Sequence, residues 1–436
     1  MKDVKDVVVI GAGPAGLIAA AQAAKNGNSV TLLEKNAKVG RKLYISGKGR
    51  CNLTNSCDIN TLIKNTPGNG SFLYSAFNKF SSLDIIEYFN GLGVKTKVER
   101  GNRVFPESDK ASDIIDALFK NVQRNGVELI LNAEVTEIGF GSAGNLNTDI
   151  STNDSVSASV NNIKQVEYSK DGKPHKIQCK NIILATGGIS YPATGSTGDG
   201  YKFAGKAGHT VIDPKPSLVS MNTSEKWVAN LQGLSLKNVS VKLIKNKKEK
   251  LFEDFGEMLF THCGVSGPLI LSASSRVRDF NYENLELYID LKPALSNEQL
   301  DLRIQRDFNK YINCNFINSL NDLLPKSLIP VVVMLSETGG ELPVNQITKE
   351  ERHRLVETIK NFKLTPVSPG SVEEAIVTSG GICVKEIDPK TMESKLVPGL
   401  YFAGEIIDVD AYTGGFNLTI AFSTGYTAGS GIIHNA

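Results

Sequence analysis

The period of apolar positions changes several times along this chain, and each change marks an element. Val7 to Ile10 is a β-branched run that predicts a short strand. Pro14 to Asn26 is alanine-rich and suits a helix, and Ser29 to Glu34 returns to strand character through Val30, Thr31, Leu32 and Leu33. The three form one βαβ unit. Lys176 to Ala185 reads as a further buried strand, running into Thr186-Gly187-Gly188. After Tyr191 the pattern shifts to short alternating stretches, Val239 to Ile244 and Leu285 to Leu291, which predict antiparallel strands of a barrel-like insert. Ser296 to Tyr311 and Thr348 to Asn361 predict helices. In the first, Glu298 and Gln299 follow Ser296; in the second, Glu350 and Glu351 follow Thr348, so each start carries acidic charge. Beyond Ser371 the glycine-rich strand-and-turn character of the opening returns, so a discontinuous first domain with an inserted second region is the simplest account.

Between Ile138 and Ile163 the Ser, Asn, Thr and Gly content cannot build a core, and a flexible surface insertion between two strands is expected. A chain of 436 residues is too long for one ordinary core. Its net charge of +2 gives no general attraction to nucleic acid or membrane, so such a partner would need a local patch. The densest basic run is Lys242 to Lys250, by default a solvated hairpin tip and the first place to look for RNA phosphate contacts. No signal peptide and no membrane-spanning run are read, which makes a cytoplasmic protein the expectation. The six cysteines are scattered, so reduced thiols are expected, and Cys51 and Cys57 lack the second pair a zinc site needs.

The sharpest chemistry lies in Gly11-Ala12-Gly13-Pro14-Ala15-Gly16, which follows the first strand and opens the helix, the context a dinucleotide fingerprint requires. Gly11 permits the tight turn, Gly13 lets backbone approach a pyrophosphate, and Gly16 lets helix and strand pack closely. Glu34, eighteen residues past Gly16, is placed to accept from ribose hydroxyls. The fingerprint alone does not separate NAD from FAD. Three later segments favour FAD: the turn Ala185, Thr186, Gly187 and Gly188 after a strand, Gly404-Glu405 after Leu400 to Ala403, and Gly414-Gly415-Phe416-Asn417-Leu418 at the start of the last helix. That helix start favours negative charge on a reduced flavin.

Together with Ser46 to Asn55 (SGKGRCNLTN), Gly187 to Tyr201, Phe260-Thr261-His262 with Gly264 and Ser266-Gly267-Pro268, and Gly404 to Ala421, these motifs resemble the BaiN/RdsA family of NAD(P)/FAD-dependent oxidoreductases over nearly the whole chain. The resemblance implies an α/β fold of three parts. These are a Rossmann-like FAD-binding domain at 1–191 and 371–436, a β-barrel insert at 192–295 and 330–347, and a helical subdomain at 296–329 and 348–370. It also implies cofactor contacts in the loop Ser46, Gly47, Gly49, Arg50, Cys51 and Asn52, with Lys35, Lys42, Val135 and Asp408 as further positions. Members have been linked to reduction of a uridine in ribosomal RNA, to a bile-acid reduction and to aminoacetone oxidation.

Several residues carry two readings each. Arg50 and Lys48 bind phosphate or balance a reduced flavin, or are exposed loop charges. Cys51, with a pKa lowered by Arg50, donates a proton to substrate carbon, or is a small buried residue. His262, in a glycine-rich turn, is a general acid or a turn residue bonded to backbone, while His209 reads as structural. Tyr191 borders the flavin or packs a junction, and Asp408 and Asp410, two apart, are an acid–base pair or carboxylates that simply bind ribityl hydroxyls. The leading expectation is an NAD(P)H-driven reductase of a carbon–carbon double bond. The alternatives are an FAD oxidase of a small amine or alcohol and a non-catalytic FAD-binding redox sensor. A single fingerprint means the nicotinamide binds transiently against the flavin. The substrate is a small molecule or ribosomal RNA, and no stable protein partner is expected.

Overall fold

The computed structural model describes residues 4–140, 163–277, 282–371 and 375–434. It divides into two compact units, Met1–Pro216 with Ile376–Ala436, and Ser217–Ala375. The expected Ser/Asn-rich insertion lies largely outside the described residues.

The first unit is built on a seven-stranded sheet. Lys5–Ile10 pairs in parallel with Val30–Leu33 on one side and with the second half of Lys173–Leu184 on the other. Glu128–Ile130 extends the parallel set beyond Val30–Leu33, and Leu400–Phe402 joins alongside Ile182 to Leu184. The strand Val30–Leu33 and the inner residues Val7, Val8 and Val9 are wholly buried, as parallel strands covered on both faces must be. Lys164–Lys170 and Ala133–Gly139 continue the sheet in antiparallel register. The alanine-rich helix Pro14–Lys25 packs against the last helix, Phe416–Gly431. Small residues make this approach possible: a Cβ at Gly425 would lie 2.4 Å from the Ala15 carbonyl oxygen, and one at Gly429 2.4 Å from that of Ala19.

The second unit holds a seven-stranded antiparallel sheet that includes the long hairpin Ser235–Lys245 and Glu249–Phe260. Its helices Asn297–Lys310 and Lys349–Lys360 each begin with a capping box, Ser296 with Gln299 and Thr348 with Glu351. Sheet residues such as Val241, Leu243 and Ile289 and helix residues such as Leu300, Ile304 and Leu355 share one core.

The expected boundaries are corrected at four places. Ser371 and Ala375, expected in the FAD-binding domain, fall in the second unit. Residues 192–216 belong to the first unit, because Tyr201, Phe203 and Ala204 of the helix Asp199–Lys206 bury into its core. The stretch 330–347, expected in the barrel, contains most of the helix Ile329–Leu335. The stretch 348–370, expected to be helical, supplies the strands Phe362–Leu364 and Pro366–Pro369 to the sheet. Among the described residues no helix is long and apolar enough to cross a membrane.

Candidate cofactor site

The parallel strands end along one edge, and the backbone ladder runs on past them. Gly11 N–H donates to Leu33 C=O at 2.8 Å, Glu34 N–H to Ile130 C=O at 3.0 Å, Ala185 N–H to Ile10 C=O at 2.9 Å, and Ala403 N–H to Leu184 C=O at 3.0 Å. The residues that leave this edge, Gly11, Glu34, Ala185 and Gly404, all line one cavity of about 220 Å³, at the carboxyl end of a parallel sheet where such folds bind ligands.

The glycines of the fingerprint are required for different reasons. Gly11 has φ +101°, and a Cβ there would lie 2.5 Å from the Ala185 carbonyl oxygen; at Gly16 it would lie 1.9 Å from that of Gly11. These two hold turn, helix and sheet together. At Gly13 a Cβ meets nothing within 4 Å, although φ is an ordinary −79°. The space it would fill opens at the N-terminus of Pro14–Lys25, where free N–H groups and the helix dipole suit a pyrophosphate. Glu34 is buried: one oxygen accepts from Ala12 N–H at 2.8 Å, the other from Asn36 N–H at 2.9 Å and its side-chain amide at 2.6 Å. The open cradle and the acid after the second strand fit the ADP half of FAD.

Farther along, Lys42 Nζ donates to both oxygens of Glu405, at 2.8 and 2.7 Å, and to Ser190 Oγ at 2.7 Å. Glu405 also accepts from Ser190 Oγ and from Thr378 N–H, each at 2.8 Å. Burial alone would push its carboxyl up, yet Lys42 and these donors hold it below the ordinary range. Lys35 Nζ is committed to Thr197 Oγ1 at 2.5 Å and Asp199 Oδ2 at 2.7 Å. Pro14, Ala15, Lys35, Lys42, Ser46 and Val135 line the cavity, as do Thr186, Gly187, Glu405, Asn417 and Leu418.

The loop after Ser46 behaves differently from the expectation. Gly47, Gly49, Arg50, Cys51 and Asn52 stand outside the lining. Arg50 lies 4.2 Å from the Phe105 ring centroid and ion-pairs with Glu99 and Asp109, each at 2.5 Å, contacts that raise its pKa further. It is a structural cation here. The expected low-pKa Cys51 is corrected: the residue is fully buried, and burial pushes its thiol up to about 12. We expect iodoacetamide at pH 8 to label the exposed Cys263 in the native protein and to reach Cys51 only after denaturation, as read by peptide mass spectrometry. Asn52, with its amide oriented by its neighbours, accepts from Gly415 N–H at 2.9 Å and donates to Thr54 C=O at 3.2 Å. Thr54 and Thr419 hydroxyls meet at 2.7 Å, and Asn55 donates to Gly414 C=O at 3.0 Å. The loop therefore buttresses the start of the last helix.

Other expected contacts act from behind the cavity. Gly16, Gly188, Asp408, Gly415 and Phe416 are outside its lining. A Cβ at Gly188 would lie 2.2 Å from Thr378 Oγ1, and Asp408 accepts from Asn69 through its backbone and its carboxylate, at 2.8 and 2.9 Å. Asn417 fixes the preceding turn, accepting from Ala411 N–H at 2.9 Å and donating to Ala411 C=O at 2.7 Å. Lys42 sits 5.9 Å from the Tyr191 ring centroid. His209 is buried between Glu386, at 3.1 Å, and Ser394, at 2.7 Å, which fits its structural reading. His262 lies in the second unit on an exposed turn. Sequence reasoning missed Ser190, Thr378 and Asn36. Asn36 follows Glu34 closely enough to have been considered, whereas Thr378 carries no local signal.

The fold is shared with solved dehydrogenases. A 3-ketosteroid-Δ4-(5α)-dehydrogenase from Rhodococcus jostii aligns over 100% of this chain and 98% of its own, with a TM-score of 0.52 at 14% identity. A 3-ketosteroid Δ1-dehydrogenase from Sterolibacterium denitrificans aligns over 99% and 100%, with a TM-score of 0.54 at 14% identity. The cradle, the acid and this fold define the class, an FAD-dependent oxidoreductase built on a Rossmann-type domain. Within it, the model of the HI0933-like protein Rossmann domain matches residues 5–431, and the chain belongs to that family. It is 32% identical to a ribosomal RNA dihydrouridine synthase of Haemophilus influenzae across 98% of both chains. It is 29% identical to a 3-dehydro-bile acid delta(4,6)-reductase of Clostridium scindens across 97% of both.

Proposed function

We propose that this protein is an NAD(P)H-driven flavin reductase of a carbon–carbon double bond, with a uridine of ribosomal RNA as the candidate substrate. The observation that carries this reading is the full-length similarity to two relatives whose names give different substrates but one kind of chemistry, the saturation of a ring double bond. Bound FAD supplies hydride transfer. The chain supplies the rest: the Gly13 cradle and helix N-terminus hold the phosphates, and Glu34 takes the ribose edge. The Lys42–Glu405 pair fixes the wall between the helix Arg41–Ile45 and the Gly404 turn. Asn417 and Leu418 bring the positive end of the last helix to the cavity, where it favours negative charge. With one dinucleotide fingerprint, the chain has a dedicated fold for FAD alone, and a nicotinamide reductant would bind transiently against the flavin. Lys247, Lys248 and Lys250, exposed around the hairpin tip, are the phosphate contacts of this reading, and the cytoplasm is its compartment.

Anaerobic titration of the FAD-loaded protein with NADPH and NADH tests the proposal. Bleaching of the flavin, followed by recovery of its colour on addition of unmodified ribosomal RNA and formation of dihydrouridine by mass spectrometry, is the expected result. A flavin that neither nicotinamide reduces, but that an amine or alcohol does, would replace the reductase with an oxidase.

A further inference from the structure

We propose that His209, Glu386 and Ser394 form an acid-sensitive latch between two segments that lead into the cofactor cavity, so that protonation of His209 loosens the hold on FAD. The latch rests on the FAD site and is independent of the substrate.

The three side chains meet inside the first unit. His209 follows the helix Asp199–Lys206, its N–H donating to Ala204 C=O at 3.0 Å, and its ring is fully buried. Nδ1 stands 3.1 Å from Glu386 Oε2, and Nε2 stands 2.7 Å from Ser394 Oγ. Burial opposes ionisation of Glu386, but Thr210 N–H, at 2.9 Å, and His209 hold its carboxyl below the ordinary range. A carboxylate only accepts, so Nδ1 carries the ring hydrogen. Ser394 Oγ accepts from Leu396 N–H at 3.0 Å and from Val397 N–H at 2.8 Å. Both of its lone pairs are filled, and its own proton goes to Nε2. Hydroxyl, imidazole and carboxylate stand in the order of a nucleophilic triad. Ser394, however, is buried, lies outside the cofactor cavity and keeps no lone pair for attack, so the arrangement holds rather than reacts.

A second ring proton has no acceptor here. An imidazolium donates from both nitrogens, and Nε2–H would face a hydroxyl that already accepts twice and points its own hydrogen back. Either ring and serine part, or the 394–397 turn gives up a backbone bond. Burial, with the Phe402 ring edge-on at 4.8 Å, pushes the His209 pKa below 6.5, and Glu386, the charged group that faces the ring, opposes that shift. Charged groups on the flanking segments are engaged elsewhere: Lys206 with Glu137 at 3.3 Å, Asp388 with Lys390 N–H at 2.7 Å, Glu393 with Gly399 N–H at 2.7 Å, and Lys395 with Lys385 C=O at 2.9 Å. The neutral ring's contribution is therefore complete above pH 6.5 and is lost as pH falls below it towards the folded value.

Both sides of the latch reach the cavity. The helix Asp199–Lys206 gives the lining Phe203 and Asp199, which accepts from Lys35 at 2.7 Å. On the other side, Ser394 N–H donates to Leu400 C=O at 2.7 Å, and the strand Leu400–Phe402 runs straight into Ala403, Gly404 and Glu405 of the lining.

FAD affinity, read by flavin fluorescence across this pH range for wild type, His209→Gln and Ser394→Ala, tests the latch together with ¹⁵N NMR of the histidine rings. We expect His209 to be the Nδ1–H tautomer at neutral pH. Between about pH 6.5 and 5.5 the wild-type Kd should rise about tenfold more than that of His209→Gln, the effect of one proton that must leave before FAD binds. Ser394→Ala removes the competing hydroxyl and should raise the pH at which the ring titrates and affinity falls. An Nε2–H tautomer, parallel pH curves for wild type and His209→Gln, or a Ser394→Ala ring that titrates no higher than the wild-type one would each overturn the latch. Should His209→Gln fail to fold, the tautomer and the Ser394→Ala titration decide alone.

Discussion

Gly13→Asp is expected to give a folded, colourless protein. In the structure a Cβ at this position points into open space with φ −79°, so the backbone accepts any L residue. Gly13 is also the N-cap of Pro14–Lys25 and makes no side-chain cap, so an aspartate there should stabilise the flavin-free chain by about 0.5–1 kcal/mol. The same carboxylate would stand where the pyrophosphate belongs. Like charges about 4 Å apart cost about 4 kcal/mol in a partly solvated site, roughly a thousandfold in FAD affinity. Gly16→Ala should do the opposite. Its methyl would lie 1.9 Å from the Gly11 carbonyl oxygen, so the turn itself must give way, at a cost of about 3 kcal/mol or more to the flavin-free fold. Melting temperatures without flavin, with flavin absorbance per chain, distinguish the two. A yellow Gly13→Asp protein would show that the cradle does not hold the phosphates, and an unshifted Gly16→Ala melt would refute the close packing.

That contrast shows why part of the site was legible in the sequence. Turn, helix and acid of the fingerprint fall within Gly11 to Glu34, so local spacing carries the geometry almost unaided. The strand ends at Leu184 and Phe402 were legible for the same reason, since each runs straight into a glycine turn. Partners that come from far away were not. Arg50 reads as a cation among glycines, but Glu99 and Asp109, on separate segments, claim its guanidinium. Cys51 reads as a thiol beside a positive charge, but the fold turns it into the core, where burial decides its chemistry. The division of the insert was blurred likewise: Leu300 and Leu355 on helices and Leu243 and Ile289 on strands bury against one another, and periodicity cannot show that two patterns share a core.

Lys42 and Glu405 are the extreme case, 363 positions apart in sequence and joined at 2.7 Å, and breaking them should have the second large effect. Lys42→Met would leave a mostly buried carboxylate with only Ser190 and Thr378 as donors. Removing one partner of such a pair costs about 3 kcal/mol or more at neutral pH. The pH dependence follows from the sign of the shift. In the wild type the folded-state value of Glu405 is depressed below 4.5, so its contribution is fully present above that value and is lost as pH falls through the lower folded one. Without Lys42 the desolvation that now opposes the pair would prevail and raise the folded value, so the variant gains a proton on folding. Its deficit against wild type should therefore be greatest near pH 7 and shrink steadily towards pH 4.5. Lys42→Met with Glu405→Gln removes the stranded charge and should recover most of the loss at pH 7. Denaturation midpoints of the flavin-free proteins across that range decide the matter. A deficit independent of pH, and not relieved by the second substitution, would mean that Lys42 acts through packing of its stem rather than through the ion pair.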